Sequence, residues 1–333
     1  MNNQYKCPSC GGQLVFDQAT QKLKCPYCGF EKDIETFETK ETQHEQTNLY
    51  VCSSCGGEVI IEGTETAKSC PFCNNPIVLS SKFNQEFRPD FIVPFQMQKE
   101  DIIKAFESHM KNQKFLPKVF KERNLLKEIK GIYVPYWIYD IDLEAQMNLK
   151  AQEVTEKEDK TKKYITTSFY DIDTKALCKY KELPISASLN MDETMLDSIE
   201  PFTLNLKKDF SPDYLSGFYA ENFDSVQSDK TKHVLKRTEK TLEDEILKSY
   251  RHYDELSVEN FNAKITDESV KYALLPVWFL TTRFQDEEYI FAMNGTTGKL
   301  IGDLPFDKNL YNKYLLIRVI LITAVIYAFF TII

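Results

Sequence analysis

Cysteine spacing constrains this chain more than any other feature of its sequence. Eight of the nine cysteines lie in the first 73 residues, in four C-x-x-C pairs. The pairs form the pattern C-x2-C-x14-C-x2-C twice, first from Cys7 to Cys28 and again from Cys52 to Cys73. The second copy follows the first at an offset of 45 residues. Such an internal repeat indicates two copies of one small module.

Each copy has the ligand set of a structural metal site. Structural zinc takes four ligands in a tetrahedron, and thiolate is its preferred partner. Fourteen residues between the pairs suffice for a small β-hairpin, and the Pro and Gly residues beside the cysteines suit tight turns. The arrangement resembles the rubredoxin-like zinc ribbons, and this resemblance implies two structural Zn²⁺ ions. The expected ligands are Cys7, Cys10, Cys25 and Cys28 for one ion, and Cys52, Cys55, Cys70 and Cys73 for the other.

Two other uses of the cysteines stay open at this point. Disulfides need an oxidising compartment, but the opening residues, MNNQYKCPSC, lack the apolar run of a secretory signal, so reduced cytosolic thiols are expected. An iron site would use the same four thiolates. Four protein ligands close a metal site to substrate, so the metal is expected to be structural. A ribbon of about 25 residues has too small a core to fold without it.

Composition divides the chain into five segments. A polar, acidic stretch separates the two cysteine-rich copies, and from residue 83 the composition is that of a globular domain. The predicted segments are a first zinc ribbon (1–32), a linker (33–49), a second zinc ribbon (50–80), a two-lobed α+β cytosolic domain with antiparallel sheets (83–310) and a C-terminal transmembrane helix (314–333).

Hydrophobic periodicity predicts the main elements of the α+β domain. Ile102, Phe106 and Met110 follow helical spacing, and a longer amphipathic helix is expected over 227–256. Alternation predicts a strand over 131–146.

Turn signals connect these elements. The stretch 150–163 is dense in mixed charge and predicts a hairpin tip or loop. Asn294-Gly295 and Thr297-Gly298 are expected to supply residues with positive φ after the final strand pair.

A second internal repeat lies within the domain. Pro135 and Trp137 in YVPYWIYDIDLE match Pro276 and Trp278 in LLPVWFLTTRFQ at an offset of 141 residues. The match predicts a duplicated domain whose two lobes each bring a helix before a P-x-W strand. A chance match on a short pattern is the alternative.

The C-terminal segment predicts a membrane span. Residues 315–333 contain one charge, Arg318, and as a helix they would extend about 28 Å, close to the ~30 Å hydrocarbon core. Lys308, Lys313 and Arg318 flank its N-terminal end, which predicts a single-pass, tail-anchored protein of the cell membrane with its preceding domains in the cytoplasm. A buried helix of the soluble domain is the alternative, although the segment has no polar face.

Charge bears on the class of partner. The whole chain has a net charge of −9, and residues 1–80 hold six basic and ten acidic side chains. Two zinc ions with eight thiolates would bring those 80 residues to about −8. Phosphate recognition needs the opposite sign, so the charge disfavours nucleic acid as a partner and favours protein docking.

One basic cluster is an exception, formed by Lys230, Lys232, His233, Lys236, Arg237 and Lys240. It is either a solvated helix face or a contact for anionic lipid.

The sequence gives no sign of catalysis. It has no P-loop, no G-x-S-x-G and no H-E-x-x-H, the four histidines are scattered, and Cys178 is a lone thiol. We therefore expect no enzyme activity, no catalytic residues and no small-molecule substrate.

The chain as a whole resembles a bacterial family of membrane proteins with N-terminal zinc ribbons, labelled TFIIB-type zinc-ribbon proteins and also, misleadingly, a primosomal DNA helicase. The matching strings are IKGIYVPYWIYD, SPDYLSGFYAENF, LLPVWFL and NGTTGKLIGDLP. The helicase label conflicts with the missing nucleotide-binding motif. Some relatives are encoded beside phage-shock-protein-A homologues. The resemblance thus implies a zinc-binding adaptor or scaffold that docks proteins at the inner face of the membrane in envelope stress. A membrane-tethered nucleic-acid-binding protein is the alternative.

Overall fold

Short strands around the cysteines and very long strands in the α+β domain build this protein. The computed structural model describes residues 5–35, 49–79 and 82–332, apart from 53, 84–86, 112, 118–119, 121–125, 160 and 286. Most of the predicted linker, residues 36–48, lies outside this part of the chain. Below, residues 5–35 are the first cysteine module and residues 49–79 the second.

Mixed α and β content is confirmed. The strands are β1 (Val15–Asp17), β2 (Lys22–Lys24), β3 (Glu31–Lys32), β4 (Leu49–Val51), β5 (Glu58–Ile60), β6 (Glu65–Ser69), β7 (Pro76–Val78), β8 (Phe91–Ile92), β9 (Leu126–Asp159), β10 (Lys162–Ser186), β11 (Lys208–Asp209), β12 (Tyr219–Glu221), β13 (Glu255–Phe284), β14 (Glu287–Asn294) and β15 (Leu300–Gly302). The α-helices are α1 (Lys99–Lys111), α2 (Glu193–Ser198), α3 (Gln227–Ser249) and α4 (Lys308–Ile332), and single 3₁₀ turns span Leu204–Leu206 and Pro212–Leu215.

The main sheet is centred on the two P-x-W strands. β9 and β13 pair antiparallel along most of their length, and β10 pairs β9 on the other side. The main path of the sheet is β11-β8-β13-β9-β12-β6-β7; β10 also pairs β9, and β14, which carries β15, also pairs β13. The predicted hairpin tip is real but small, because strand pairing continues to Asp159 and resumes at Lys162.

Two apolar cores cover the two faces of the central strands. On one face Tyr133, Trp137 and Tyr139 pack with α1, α3 and the first cysteine module. On the other face Val134 and Tyr136 pack with α2 and the segment that follows it. Both faces are buried at this level. Alternation of buried side chains with partly or fully exposed ones begins farther along β9, from Ile141 to Ala151.

The helices agree with their predicted apolar faces. Ile102 and Phe106 of α1 are buried. In α3 the buried face includes Val234, Leu242 and Ile246. The helix ends at Ser249, several residues before the predicted end, because the chain turns there and enters β13.

The pairing register relates the two halves of the domain by the same offset as the P-x-W repeat. Val134 of β9 pairs with Leu275 of β13, 141 residues later. β12 runs parallel to β9 at Ile132 and Tyr133, whereas β8 runs parallel to β13 at the equivalent Ala273 and Leu274. Each half is therefore a short strand, a helix and a long strand, and each short strand pairs with the long strand of the other half.

Candidate metal centres

All four cysteine pairs adopt the same tight turn. In each turn the carbonyl of the first cysteine accepts a hydrogen bond of 2.8–2.9 Å from the residue four positions later. That residue has positive φ in every case, and it is Gly11, Gly29, Gly56 or Asn74. Glycine adopts this backbone at no steric cost, and Asn tolerates it better than other side chains do. The turns therefore aim both sulfurs of a pair toward one point.

The sulfur positions fit a tetrahedral ion. In each module four Sγ atoms lie within 4.8 Å of one another. The Cys7–Cys28 and Cys10–Cys25 sulfur pairs are 3.5 Å apart in the first module. The corresponding pairs in the second module are 3.8 Å apart. Four thiolates at about 2.3 Å from one zinc ion would be about 3.8 Å from each other. Both modules can therefore hold one metal ion each, and zinc is compatible with the geometry.

Backbone N–H groups support negative sulfurs in both modules. The N–H groups of Ser9 and Cys10 donate to Cys7. Burial disfavours the Cys52 thiolate, but the N–H groups of Cys55 and Ser54 and the nearby thiols lower the pKa of Cys52 to about 7. Burial and those same thiols raise the pKa of Cys73 to about 12. A bound cation favours loss of the protons of all four thiols.

The first module is held by side-chain packing against the α+β domain. We define the docking segment as residues 211–222. The Phe16 N–H donates to the Ser216 carbonyl over 2.9 Å, and the Ser216 hydroxyl donates to the Leu14 carbonyl over 2.7 Å. The Phe16 ring meets the Tyr214 ring edge-on at 5.2 Å. Phe16, Leu14 and Cys7 belong to the main core.

The second module is held by strand pairing. β6 adds to the main sheet through β12, where Ala67 pairs with Ala220, and the Asn222 N–H donates to the Thr64 carbonyl over 2.8 Å. This module also keeps a small core of its own, made of Cys52, Val59, Ile61, Cys70 and Ile77. The docking segment thus carries both modules, although its sequence gives no metal-site signal that would single it out.

An aromatic ring is exposed at the same position of both modules. Tyr27 is 77% exposed and Phe72 is 69% exposed, and both lie between the last two cysteines of their module. Each ring covers the second glycine of the facing turn, since a Cβ on Gly12 or Gly57 would lie within 2.7 Å of it. Sequence spacing alone did not distinguish these rings, although their shared offset of 45 residues was available as a signal.

The basic cluster on α3 divides into three paired residues, Lys230, His233 and Arg237, and three exposed ones, Lys232, Lys236 and Lys240. Lys230 is buried and pairs with Glu193 over 2.9 Å. Arg237 binds Glu200 over 2.7 Å and Asp197 over 3.1 Å. Lys230 and Arg237 thus link α3 to α2 and to Glu200 just after it, whereas the three exposed lysines fit the predicted solvated helix face.

The C-terminal helix has the length and composition of a membrane span. α4 contains one window from Lys308 to Tyr327 that is long and apolar enough to cross a bilayer, and none of that window is buried against the rest of the protein. This exposure contradicts the alternative, in which the soluble domain would cover the helix.

The fold and sites define a class of protein with two four-cysteine modules, a mixed α/β domain and one candidate membrane helix. The chain is 32% identical to a Bacillus subtilis (strain 168) protein, "Uncharacterized protein YdjG", over 308 residues that cover 91% of this chain and 90% of YdjG. It belongs to the family of YdjG. No family model matches the chain. No solved structure matches it either.

Proposed function

We propose that this protein is a zinc-binding adaptor anchored in the cell membrane, which docks protein partners on its two cysteine modules at the cytoplasmic face. The observation that carries the proposal is the solvent exposure of the Tyr27 and Phe72 rings at the same position of the two modules. Both rings point to solvent although their modules are fixed to the domain. Exposed aromatic side chains on a rigid support are frequent hot spots of protein interfaces.

The cysteine modules act as structural zinc ribbons in this proposal. Closed sets of four thiolates, backbone N–H donors to sulfur and sulfur separations of 3.5–3.8 Å suit a structural zinc ion in each module. Elemental analysis of the purified chain is expected to give about two zinc ions per molecule. Iron at this ratio, with its visible absorption, would replace zinc in the proposal.

The anchor is the exposed apolar helix α4. Basic residues at its beginning, Lys308 and Lys313, favour placement of the preceding domains in the cytoplasm. The protein is expected in the membrane fraction and to need detergent for extraction. A cysteine introduced at Tyr164, on the long hairpin, tests this orientation. It should react with a membrane-impermeant thiol reagent only after the cells are lysed.

Partner docking is tested by capture from detergent-solubilised membranes. Wild type is compared with Tyr27→Ala/Phe72→Ala, with Tyr164→Ala as a matched control because Tyr164 is also exposed, at 54%. We expect about tenfold or greater loss of a directly binding partner in the double variant, with unchanged zinc content. Equal recovery from all three proteins would contradict docking on these rings.

The partner class follows from charge and from the family resemblance. The acidic modules favour a partner with a basic or apolar surface. The resemblance to TFIIB-type zinc-ribbon membrane proteins points to a phage-shock-protein-A-type partner and an envelope-stress role. Binding of such a protein to the purified chain is the direct test. Salt-sensitive binding of nucleic acid at about 50 mM salt would favour the membrane-tethered nucleic-acid binder instead.

The α+β domain is a duplication in this proposal. The register of β9 on β13 and the parallel partners β8 and β12 support it. Equivalent aromatic pairs add to it, because Phe95 lies 4.8 Å from Trp278 and Phe223 lies 4.8 Å from Trp137. Phe95 and Phe223 each stand four residues after the start of their short strand.

A further inference from the structure

Four aromatic rings meet where the apolar helix α4 begins. Phe115, in the loop after α1, packs edge-on against Phe306, Tyr311 and Tyr314, at ring centroid distances of 5.8, 5.2 and 5.4 Å. Phe306 and Tyr311 also contact each other at 5.5 Å. These four rings are the aromatic collar below.

Backbone hydrogen bonds fix the collar in place. The Asp307 N–H donates to the Phe115 carbonyl over 2.9 Å, which ties the loop after α1 to the start of α4. The Asp307 carboxylate accepts from the Leu310 N–H over 2.9 Å and caps the helix. The domain and the helix therefore share this joint.

The aromatic collar is more exposed to solvent than a cluster of large apolar rings usually is in a water-soluble protein. Phe306 is 55% exposed, Tyr311 39% and Tyr314 36%, and the exposed apolar side chains of α4 continue from Leu315. Single exposed apolar residues are ordinary, but a continuous patch marks an interaction surface.

Basic residues adjoin the collar residues along the chain. Lys114, Lys308 and Lys313 are exposed, and the Arg318 guanidinium lies over the Tyr314 ring at 5.1 Å. Within the described residues none of these four forms an ion pair, and the nearby Asp307 is engaged as the helix cap. Four cations against the carboxylates of Asp303 and Asp307 leave a net charge of +2 beside the aromatic rings.

We propose that the aromatic collar binds the headgroup region of an anionic bilayer, so that the loop carrying Phe115 gives the domain a second membrane contact beside the helix. This rests on the proposed anchoring by α4. Tyrosine rings favour the membrane–water interface, and lysine and arginine favour anionic lipid. With the collar at headgroup level, residues 315–332 would span about 27 Å, which matches the ~30 Å hydrocarbon core. The consequence is a fixed orientation of the domain on the membrane.

Tryptophan reporters test this depth in the full chain. Phe306→Trp is reconstituted in phosphatidylcholine vesicles containing phosphatidylglycerol, and Tyr164→Trp is the matched control on the long hairpin. The native Trp137 and Trp278 are buried, and their background fluorescence is measured in the wild-type protein and subtracted. We expect lipid brominated near the headgroup end of its chains to quench Phe306→Trp about twofold more than the control, with aqueous iodide showing the reverse.

A third reporter separates failure of the collar from failure of the anchor. Leu321→Trp lies farther along α4 and is expected to be quenched by lipid brominated deep in its chains. If Leu321→Trp is quenched but Phe306→Trp behaves like Tyr164→Trp, the collar proposal is overturned and the anchor stands. If neither is quenched by any brominated lipid, both proposals fail.

The charge contribution has its own readout. In Lys114→Gln/Lys308→Gln/Lys313→Gln, the part of the Phe306→Trp quenching that depends on phosphatidylglycerol is expected to disappear. Quenching that does not depend on phosphatidylglycerol in the parent protein would overturn recognition of anionic lipid.

Discussion

The two cysteine modules have the same ligands, the same spacing and the same pair of turns, yet the domain holds them in different ways. The first is a three-stranded sheet whose apolar side chains, including Leu14, Phe16 and Leu23, lie in the main core. The second divides its strands, with β4 and β5 paired apart and β6 and β7 added to the main sheet.

The difference comes from residues outside the metal-binding pattern. At an offset of 45, Leu23 corresponds to Lys68, which is partly exposed and pairs with Glu65 over 2.6 Å. Phe16 corresponds to Ile61, which belongs to the small core of the second module. The cysteines thus determine each local fold, whereas neighbouring apolar residues determine how it attaches. Four predictions test this comparison.

The largest effects are expected from loss of a metal. Cys7→Ser and Cys52→Ser should each reduce zinc from about two ions per chain to about one. Structural zinc contributes on the order of 10 kcal/mol, so each affected module should lose about 5 kcal/mol or more of folding free energy. Cys7→Ser should also lower the unfolding transition followed by Trp137 and Trp278 fluorescence more than Cys52→Ser does, because the first module places more side chains in the main core. Equal shifts in the two variants would contradict the comparison.

Core truncation should give the next largest effect. Phe16→Ala is expected to lower the free energy of unfolding of the main domain by about 3–5 kcal/mol, because a buried ring is removed. The matched Ile61→Ala should cost about 2–5 kcal/mol within the second module, seen as faster zinc release to a chelator. A comparable fall of the tryptophan transition in Ile61→Ala would show that the small core is not separate.

A backbone substitution should have a smaller effect. Gly217 has φ of +95°, and a Cβ there would lie 3.3 Å from Val15 of the first module. Gly217→Ala is therefore expected to destabilise the first module's attachment by about 1–3 kcal/mol. Gly63→Ala is the control in the second module, with φ of +48° and open space, and about 1 kcal/mol is expected. Thermal unfolding in detergent measures both.

The smallest effects are expected where the modules are alike. Gly12→Ala and Gly57→Ala each push an exposed ring, Tyr27 or Phe72, which can move into solvent. Each should cost about 1 kcal/mol or less, with Gly12→Ala costing slightly more because its Cβ would also lie 3.3 Å from the Cys10 Sγ. A large difference in zinc release between the two variants would show that the turns differ after all.

The sequence predicted the local features that depend on few residues. Cysteine spacing was sufficient to group the sulfurs, and periodicity located α1 and α3. The sequence pattern did not predict that Asn74, like the glycines of the other three cysteine turns, has positive φ. It was wrong about Gly295, whose φ is not positive and which is needed because a Cβ would lie 2.8 Å from Pro276 and Phe95.

Long-range packing was beyond the sequence pattern. Val134 and Tyr136 face a second core that forms only when residues 191–206 fold over the sheet. The docking segment likewise acquires its role from partners about 150–200 residues away, such as Leu14 and Thr64. Contacts of this kind depend on chain topology, which short-range periodicity does not encode.

Each half of the domain depends on a short strand from the other half, so neither half is complete by itself. A single half would leave its long strand without the parallel neighbour that the other half supplies. Unpaired strand edges seek another chain. A protein cleaved between the halves is therefore expected to stay together as two complementing fragments, which gel filtration after proteolysis would measure.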